Sequence, residues 1–262
     1  MTAKEFVEKL KDIEKNYNTV YAMGLFGSLI TESIIKQKVN QPSSWYTSSR
    51  QASLRKLIGK DYFGFDCVCL IKGVLWGWTG SKTASHGGAK YKSNGVPDIN
   101  ADQMIKECKG ASTNFSNIEV GEVVWMKGHI GVYIGNGLAV EATPKWQNRV
   151  QITAVGNIGK KSGYNTRTWT SHGKLPYVDY TGISETEGED GEIMLSRTLR
   201  HGMTGEDVGL VQQFLKNLGY YTGPIDKSFG PGTGFLNAVK AFQKAEGLDP
   251  DGSIGNLTRT RI

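Results

Sequence analysis

Cysteine is scarce in this 262-residue chain: three residues, at 67, 69 and 108, an odd number that makes no disulfide framework. The sequence therefore suits synthesis in a reducing compartment. Long apolar runs are also missing, and nothing approaches the roughly 18–20 residues that a membrane span needs. The partly apolar stretch 19–35 is broken by Gly24, Gly27 and Glu32 and lacks a small-residue cleavage site, so it does not read as a signal peptide. The chain is accordingly expected to be made in the cytoplasm without one, and to insert in no membrane. Paired metal-ligand spacings are lacking as well. Cys67-Val68-Cys69 has one intervening residue, not the two of common zinc sites, so a centre built from Cys67, Cys69, Cys108 and a histidine is set aside. No metal or cofactor is expected. Nor is there a nucleic-acid motif, and the basic residues are scattered, which argues against nucleic acid as a partner.

The chain is organised around Phe65-Asp66-Cys67-Val68-Cys69-Leu70-Ile71. Leu70, Ile71, Val74, Leu75 and Trp78 follow the spacing of a buried helix, and Gly59 to Gly64 ahead of them reads as a loop. Cys67 falls in the first turn, where free backbone N–H groups and the positive dipole end favour an anion. That placement is expected to lower the thiol pKa and supply a nucleophilic thiolate. A small buried cysteine without chemistry is the plainer alternative, and Cys67 alone does not decide between them.

Residues 122–143 supply the deciding context, because they read as a β-hairpin. Val123 to Met126 open it, His129 to Ile134 follow, Gly135-Asn136-Gly137 turn, and Leu138 to Ala142 return. With all three turn residues in the loop, Gly131 lies opposite Glu141, and His129 and Glu141 share one face. A two-residue turn would slip the register by one and separate them. The apolar set Ile130, Val132, Ile134, Leu138 and Val140 favours the first arrangement. A thiol, an imidazole and a carboxylate then form the nucleophile, base and orienter of acyl-transfer chemistry, with the Cys67 N–H available to an oxyanion. His86 is a rival base, but its loop offers no strand to hold it against a helix start. His172 and His201 read as surface residues.

These segments resemble the NlpC-type cysteine peptidases of the papain-like fold, which cut peptide stems of bacterial cell walls. Phe65-Asp66-Cys67 opens the helix, and Gly128-His129-Ile130-Gly131-Val132-Tyr133-Ile134-Gly135-Asn136-Gly137 matches the histidine strand. The family's third position, twelve residues after the histidine, is Glu141. There the family more often has His, Asn or Gln, and it has Ser-Gly where this chain has Val68-Cys69. Glutamate at that place is more similar to the related CHAP amidase/peptidase domains. The resemblance implies catalysis by Cys67, His129 and Glu141, and a role for Asp66 in holding a free amino group of the stem. Asp66 can equally be a helix N-cap. Trp45 and Tyr46, after the turn at Pro42, and Trp146 are candidates to line the substrate cleft, with core filling the equal alternative for the Trp45-Tyr46 pair. The Gly-, Ser- and Lys-rich loop 77–98 is expected to border it.

Other segments set the boundaries. Thr2 and Glu5 form a capping box for an amphipathic helix over 2–15, Gln51 to Ile58 read as another helix, and Val150 to Thr153 as a strand. Residues 182–193 hold five acids, three glycines and no base, an extended self-repelling linker expected to provide reach without a shared core. Beyond it, Thr204 to Asp207 read as a capping box before the stripe Val208, Val211, Phe214, Leu215 and Leu218. A second helix carries Leu236, Val239 and Phe242, and a short third one lies near Asn256. This tail resembles the three-helix peptidoglycan-binding domain, on Gly205-Glu206-Asp207-Val208, Gln212, Leu218 to Asp226, Phe229-Gly230-Pro231, Phe242-Gln243 and Asp251-Gly252. The resemblance points to Tyr220, Tyr221, Asp226 and Phe229 as wall-binding residues.

The sequence therefore reads as α+β. A papain-like unit (1–181), with N-terminal helices on an antiparallel sheet, precedes the linker (182–193) and a small all-α three-helix unit (194–262). With 38% hydrophobic residues it can bury one sizeable core and a small second one. Residues 1–181 carry 23 Lys and Arg against 14 Asp and Glu, a net of +9, and 182–262 carry 8 against 11, a net of −3. A basic first half suits an anionic wall. The expected function is a peptidoglycan hydrolase of the phage-endolysin type, monomeric, cutting an amide bond of the stem. A bacterial autolysin exported by another route, an N-acetylmuramoyl-L-alanine amidase, an inactive wall-binding protein and an acyltransferase on the same fold are the alternatives.

Overall fold

In a computed structural model, residues 1–180, 197–230 and 232–262 are described, so the linker expected at 182–193 lies outside the described residues. The chain opens with α1 (Ala3–Asn16), whose Thr2 hydroxyl accepts from Glu5 N–H while the Glu5 carboxylate accepts from Thr2 N–H, closing the expected capping box. Its apolar face, Phe6, Val7, Leu10 and Ile13, is buried in the main core. Strands β1 (Thr19–Tyr21) and β2 (Phe26–Leu29) follow, then α2 (Glu32–Val39), α3 (Ser48–Arg55), β3 (Phe63–Phe65) and α4 (Cys67–Leu75). β3 lies between β1, to which it is parallel, and β2, to which it is antiparallel. The expected loop ahead of Cys67 is therefore partly strand.

After α5 (Ala101–Glu107) the chain builds the larger sheet. Its strands are β4 (Lys109–Ser112), β5 (Val123–Met126), β6 (His129–Gly135), β7 (Leu138–Thr143), β8 (Arg149–Val155), β9 (Thr166–Arg167) and β10 (Ser171–Lys174). Their spatial order is β4-β10-β5-β6-β7-β8-β9, antiparallel except where β8 meets β9. Every residue of α4 is buried, because the helix packs between the large sheet, α1 and β2. That packing brings its N-terminus, with Cys67, against the start of β6.

The β6–β7 hairpin departs from expectation in an instructive way. Gly135 pairs with Leu138 across the two-residue turn Asn136-Gly137, both at positive φ (50° and 72°) as a type I′ turn requires. An irregularity between Tyr133 and Gly135 then restores the frame, so Tyr133 pairs with Ala139 and Val132 with Val140. A bulge absorbs the slip that the shorter turn alone would cause.

The C-terminal unit comprises α6 (Glu206–Asn217), α7 (Thr233–Ala245) and α8 (Asn256–Arg259) around a core of Leu199, Val208, Val211, Leu215, Phe229, Val239, Phe242 and Ile254. The capping box expected at Thr204 does not form. Gly205 occupies the N-cap without a side-chain bond, and Asp207 instead pairs with Arg197. The two units also touch. The Tyr133 hydroxyl donates to Asn256 Oδ1, Asn256 Nδ2 donates to Phe115 O at 3.4 Å, and Arg259 donates to Ile118 O at 3.1 Å. The two units keep separate apolar cores, but these hydrogen bonds join them across an interface.

Candidate active site

Asp66 is the N-cap of α4. Its Oδ1 accepts the Cys69 N–H and its Oδ2 the Gly24 N–H, both at 2.7 Å, so one carboxylate fixes the helix start and the loop between β1 and β2. Cys67 is buried, and its sulfur is approached by the backbone N–H groups of Ile130, Val68 and Cys67 itself. Those groups favour a thiolate, yet burial, followed by the neighbouring Asp66 charge, pushes the thiol up to about 12. The lowering expected from the helix dipole is overturned, because desolvation of the charged form outweighs the partial charges of a helix end. Cys69 is pushed up as well, by burial and then by Asp66.

His129 opens β6, and its Nε2 lies 2.6 Å from Glu141 Oε2. Glu141 is fully buried and saturated: its Oε1 accepts from Thr153 Oγ1 at 2.7 Å and Arg167 Nε at 2.9 Å, and its Oε2 lies 2.7 Å from Arg167 Nη2. Burial works to raise this carboxyl, but the hydrogen bonds from His129 and Arg167 hold it below the ordinary carboxylate value. Gly131 permits this closeness. A Cβ there would meet Val140 O at 2.9 Å, and Glu141 Cβ and the Trp169 ring at 3.2 Å. The Trp169 ring stacks parallel to the His129 imidazole, at 5.5 Å and 8°.

A cleft of about 950 Å³ opens beside Cys67 and Asp66, lined also by Tyr21, Lys38, Lys72, His86 and Asp98. Lys72 is paired with Asp98, which also accepts from the Tyr91 hydroxyl at 2.8 Å. Lys38 donates to Gly24 O at 2.8 Å. Tyr21 lines the cleft, and its phenol is raised by burial and then by the charge of Cys67. His86 lines the cleft but is stacked on Phe26 at 4.2 Å and bonded through Nδ1 to Ser28 Oγ at 2.8 Å. The loop 77–98 does border the cleft, through His86, Tyr91 and Asp98.

Several expected site residues lie elsewhere. Trp45, Tyr46 and Trp146 stand outside the lining of this cleft. Tyr46 is buried with its hydroxyl on Met23 O, and Trp146 covers Arg167, 4.9 Å from ring to guanidinium. In the C-terminal unit Phe229 is fully buried core and Tyr221 nearly so. Asp226 is occupied by Gln212 and the Ser228 N–H, so it shapes a turn, whereas Tyr220 is exposed. His172, expected at the surface, is buried between Glu122 and Asn114 O. Arg167 and Tyr21 went unnoticed in the sequence, since neither stands in a motif or a periodic run.

Residues 204–262 match the family model described as "Putative peptidoglycan binding domain". A spore cortex-lytic enzyme of Bacillus cereus is 36% identical over 80 residues, 30% of this chain and 30% of the relative. The spore cortex-lytic enzyme of Oceanobacillus iheyensis is 33% identical over 80 residues, 30% of this chain and 28% of the relative. The N-acetylmuramoyl-L-alanine amidase CwlM of Mycobacterium tuberculosis is 40% identical over 67 residues, 24% and 16% of the two chains. The chain thus spans about 30% of the first two relatives and less of the third.

Proposed function

We propose that this protein is a peptidoglycan hydrolase of the NlpC-like, papain-like type. Residues 1–181 cut an amide bond of the stem peptide, and residues 194–262 hold the enzyme on the wall, the arrangement of phage-type endolysins. The observation that carries the reading is the His129–Glu141 hydrogen bond at 2.6 Å, at the strand end that the Cys67 sulfur faces. Glu141 occupies Nε2 and leaves Nδ1 of His129 to exchange protons. Because the thiol is held high by burial, it is a neutral thiol at rest, and its proton moves to Nδ1 as the sulfur attacks the carbonyl carbon. The tetrahedral oxyanion is received by the Cys67 N–H, at the start of the helix whose cleft Tyr21 also lines. His129 then gives the proton to the departing amine, and the C–N bond breaks to leave a thioester. Water, deprotonated by His129, attacks that thioester and releases the carboxylic acid and the thiol. Asp66 fixes the geometry at the helix start and faces the cleft that receives the stem.

A second reading, cleavage between the sugar lactyl group and the first stem residue, is favoured by glutamate at the third position, as in CHAP domains, and by the named activity of one relative. Mass spectrometry of fragments released from purified walls separates the two. New amino termini inside the stem support the first reading, and intact stems released from glycan support the second. Wall fragments released equally by a Cys67→Ala variant would refute both.

A further inference from the structure

Arg167 forms the two-residue strand β9 with Thr166, at the far edge of the large sheet from β4. Its guanidinium makes a fork on Glu141, Nε to Oε1 at 2.9 Å and Nη2 to Oε2 at 2.7 Å. Nη2 also donates to Thr143 Oγ1 at 3.2 Å, and Nη1 rests 3.8 Å from Met126 Sδ. The guanidinium lies over two indoles, 4.9 Å from the centre of Trp146 and 5.4 Å from that of Trp169. Trp169 in turn stacks on His129. One cation therefore touches the carboxylate that holds the imidazole and the ring that flanks it.

Resting on the reading of Cys67, His129 and Glu141 given above, we propose that Arg167 is a positioning residue of the site, locking the Glu141 carboxylate in the orientation that aims His129 at Cys67. A carboxylate with only one fixed oxygen can rotate about its last torsion, and a forked guanidinium removes that freedom where an ammonium cannot. It also supplies the charge that lets a fully buried carboxylate stay ionised. The titratable or charged groups bonded to Glu141 are His129 from β6 and Arg167 from β9. β8 contributes the neutral Thr153 hydroxyl and, opposite in the ladder, Gln151. α4 brings Cys67 to the same end of the sheet. Without Arg167, burial acts on Glu141 with only His129 to oppose it, so the carboxyl takes up a proton at higher pH. The acidic limb of activity then moves to higher pH.

The test uses the full chain and iodoacetamide, with Cys67 alkylation followed from pH 5 to 9 by fragment-ion mass spectrometry that separates it from Cys69. Turnover on purified peptidoglycan is measured alongside. Arg167→Gln is expected to lower turnover roughly 10–100-fold, the scale of outer-shell orienting partners, with apparent KM nearly unchanged. Its acidic limb should move up in pH, Arg167→Lys should fall between, and millimolar guanidinium should restore part of the rate of Arg167→Ala. A merely structural loss would lower the melting temperature without moving the pH limb or responding to guanidinium. If His129→Ala alters the alkylation profile and Arg167→Gln leaves it as in the wild type, the positioning role is overturned. If His129→Ala also leaves it unchanged, the catalytic reading falls and this inference with it.

Discussion

The Tyr133 hydroxyl donates to Asn256 Oδ1 at 2.6 Å, joining two side chains 123 positions apart and both buried. Tyr133 lies on the strand that begins with His129, and its oxygen also accepts the Gly137 N–H of the hairpin turn at 3.2 Å. The C-terminal unit thus closes over the hairpin that carries the candidate base. Asn256→Ala should destabilise the full chain by about 1–3 kcal/mol, the cost of leaving buried polar groups unpaired. Thermal unfolding would show this as a drop of ~2–4 °C per kcal/mol. Tyr133→Phe removes the partner itself, so the double variant should lose less than the sum of the two. Residues 1–181 made alone should melt below the full chain. An additive double variant, or a fragment as stable as the full chain, would contradict the docking.

Cys67 and Cys69 sit two positions apart, both buried and both raised, yet only Cys67 has the Ile130 N–H directed at its sulfur. Cys67→Ala should abolish release of wall fragments while leaving wall binding and the melting transition nearly intact. Cys69→Ser should keep most of the turnover. The reverse pattern in a turbidity assay with purified walls would remove Cys67 from its role.

Glu141→Gln keeps the shape of the side chain and removes its charge. An amide cannot accept from His129 and from both arms of Arg167, so a buried cation is left without a counter-charge. Turnover should fall by orders of magnitude with little change in apparent KM, as for other orienters of an imidazole. In the wild type the carboxyl is held low, so its contribution is complete above the ordinary carboxylate range and fades only as pH falls below that range. Wild-type activity that faded well above that range for want of Glu141 ionisation, or a Glu141→Gln variant with normal turnover, would contradict this.

Much of this site was legible because its parts are local. The capping box of Thr2 and Glu5, the buried helix after Cys67 and the alternating strands around Asn136-Gly137 are all written in neighbouring residues. The register came out as expected by another route, since a bulge compensated for a tighter turn. What escaped notice depends on distant neighbours. β3 is a three-residue strand, Phe63–Phe65, with no alternation to announce it. Arg167 gains its meaning from a carboxylate 26 positions earlier, and His172 is buried because Glu122 and Asn114 arrive from other segments. The thiol failed expectation for a different reason: dipole arguments are local, whereas desolvation is set by the whole fold.

Asp66 offers one carboxylate to two backbone N–H groups, Cys69 in the helix and Gly24 in the cleft wall. In Asp66→Asn the amide nitrogen must confront one of those donors. The loss should be at least the ~0.5–2 kcal/mol of a helix cap. If Asp66 also holds the free amine of a stem, activity on stems with a free amino terminus should fall further than on blocked ones. An equal fall on both would leave Asp66 as a cap and loop anchor alone.

His172 and Glu122 form a buried pair remote from the cleft, with His172 Nε2 3.0 Å from Asn114 O. Burial works to lower the imidazole pKa, but the hydrogen bond and charge of Glu122 outweigh it and leave the group raised. A group raised on folding binds its proton more tightly in the native state, so the stabilisation is complete below the unfolded value, near 6.5, and is lost as pH rises through the folded one. His172→Gln should therefore be most destabilising, relative to the wild type, at about pH 6. The difference in melting temperature should shrink between neutral and mildly alkaline pH. Chemical shifts of the His172 ring should report its titration above that of a free histidine. A difference that grew with pH would mean that the neutral imidazole is the stabilising form, and the assignment of the charged pair would fail.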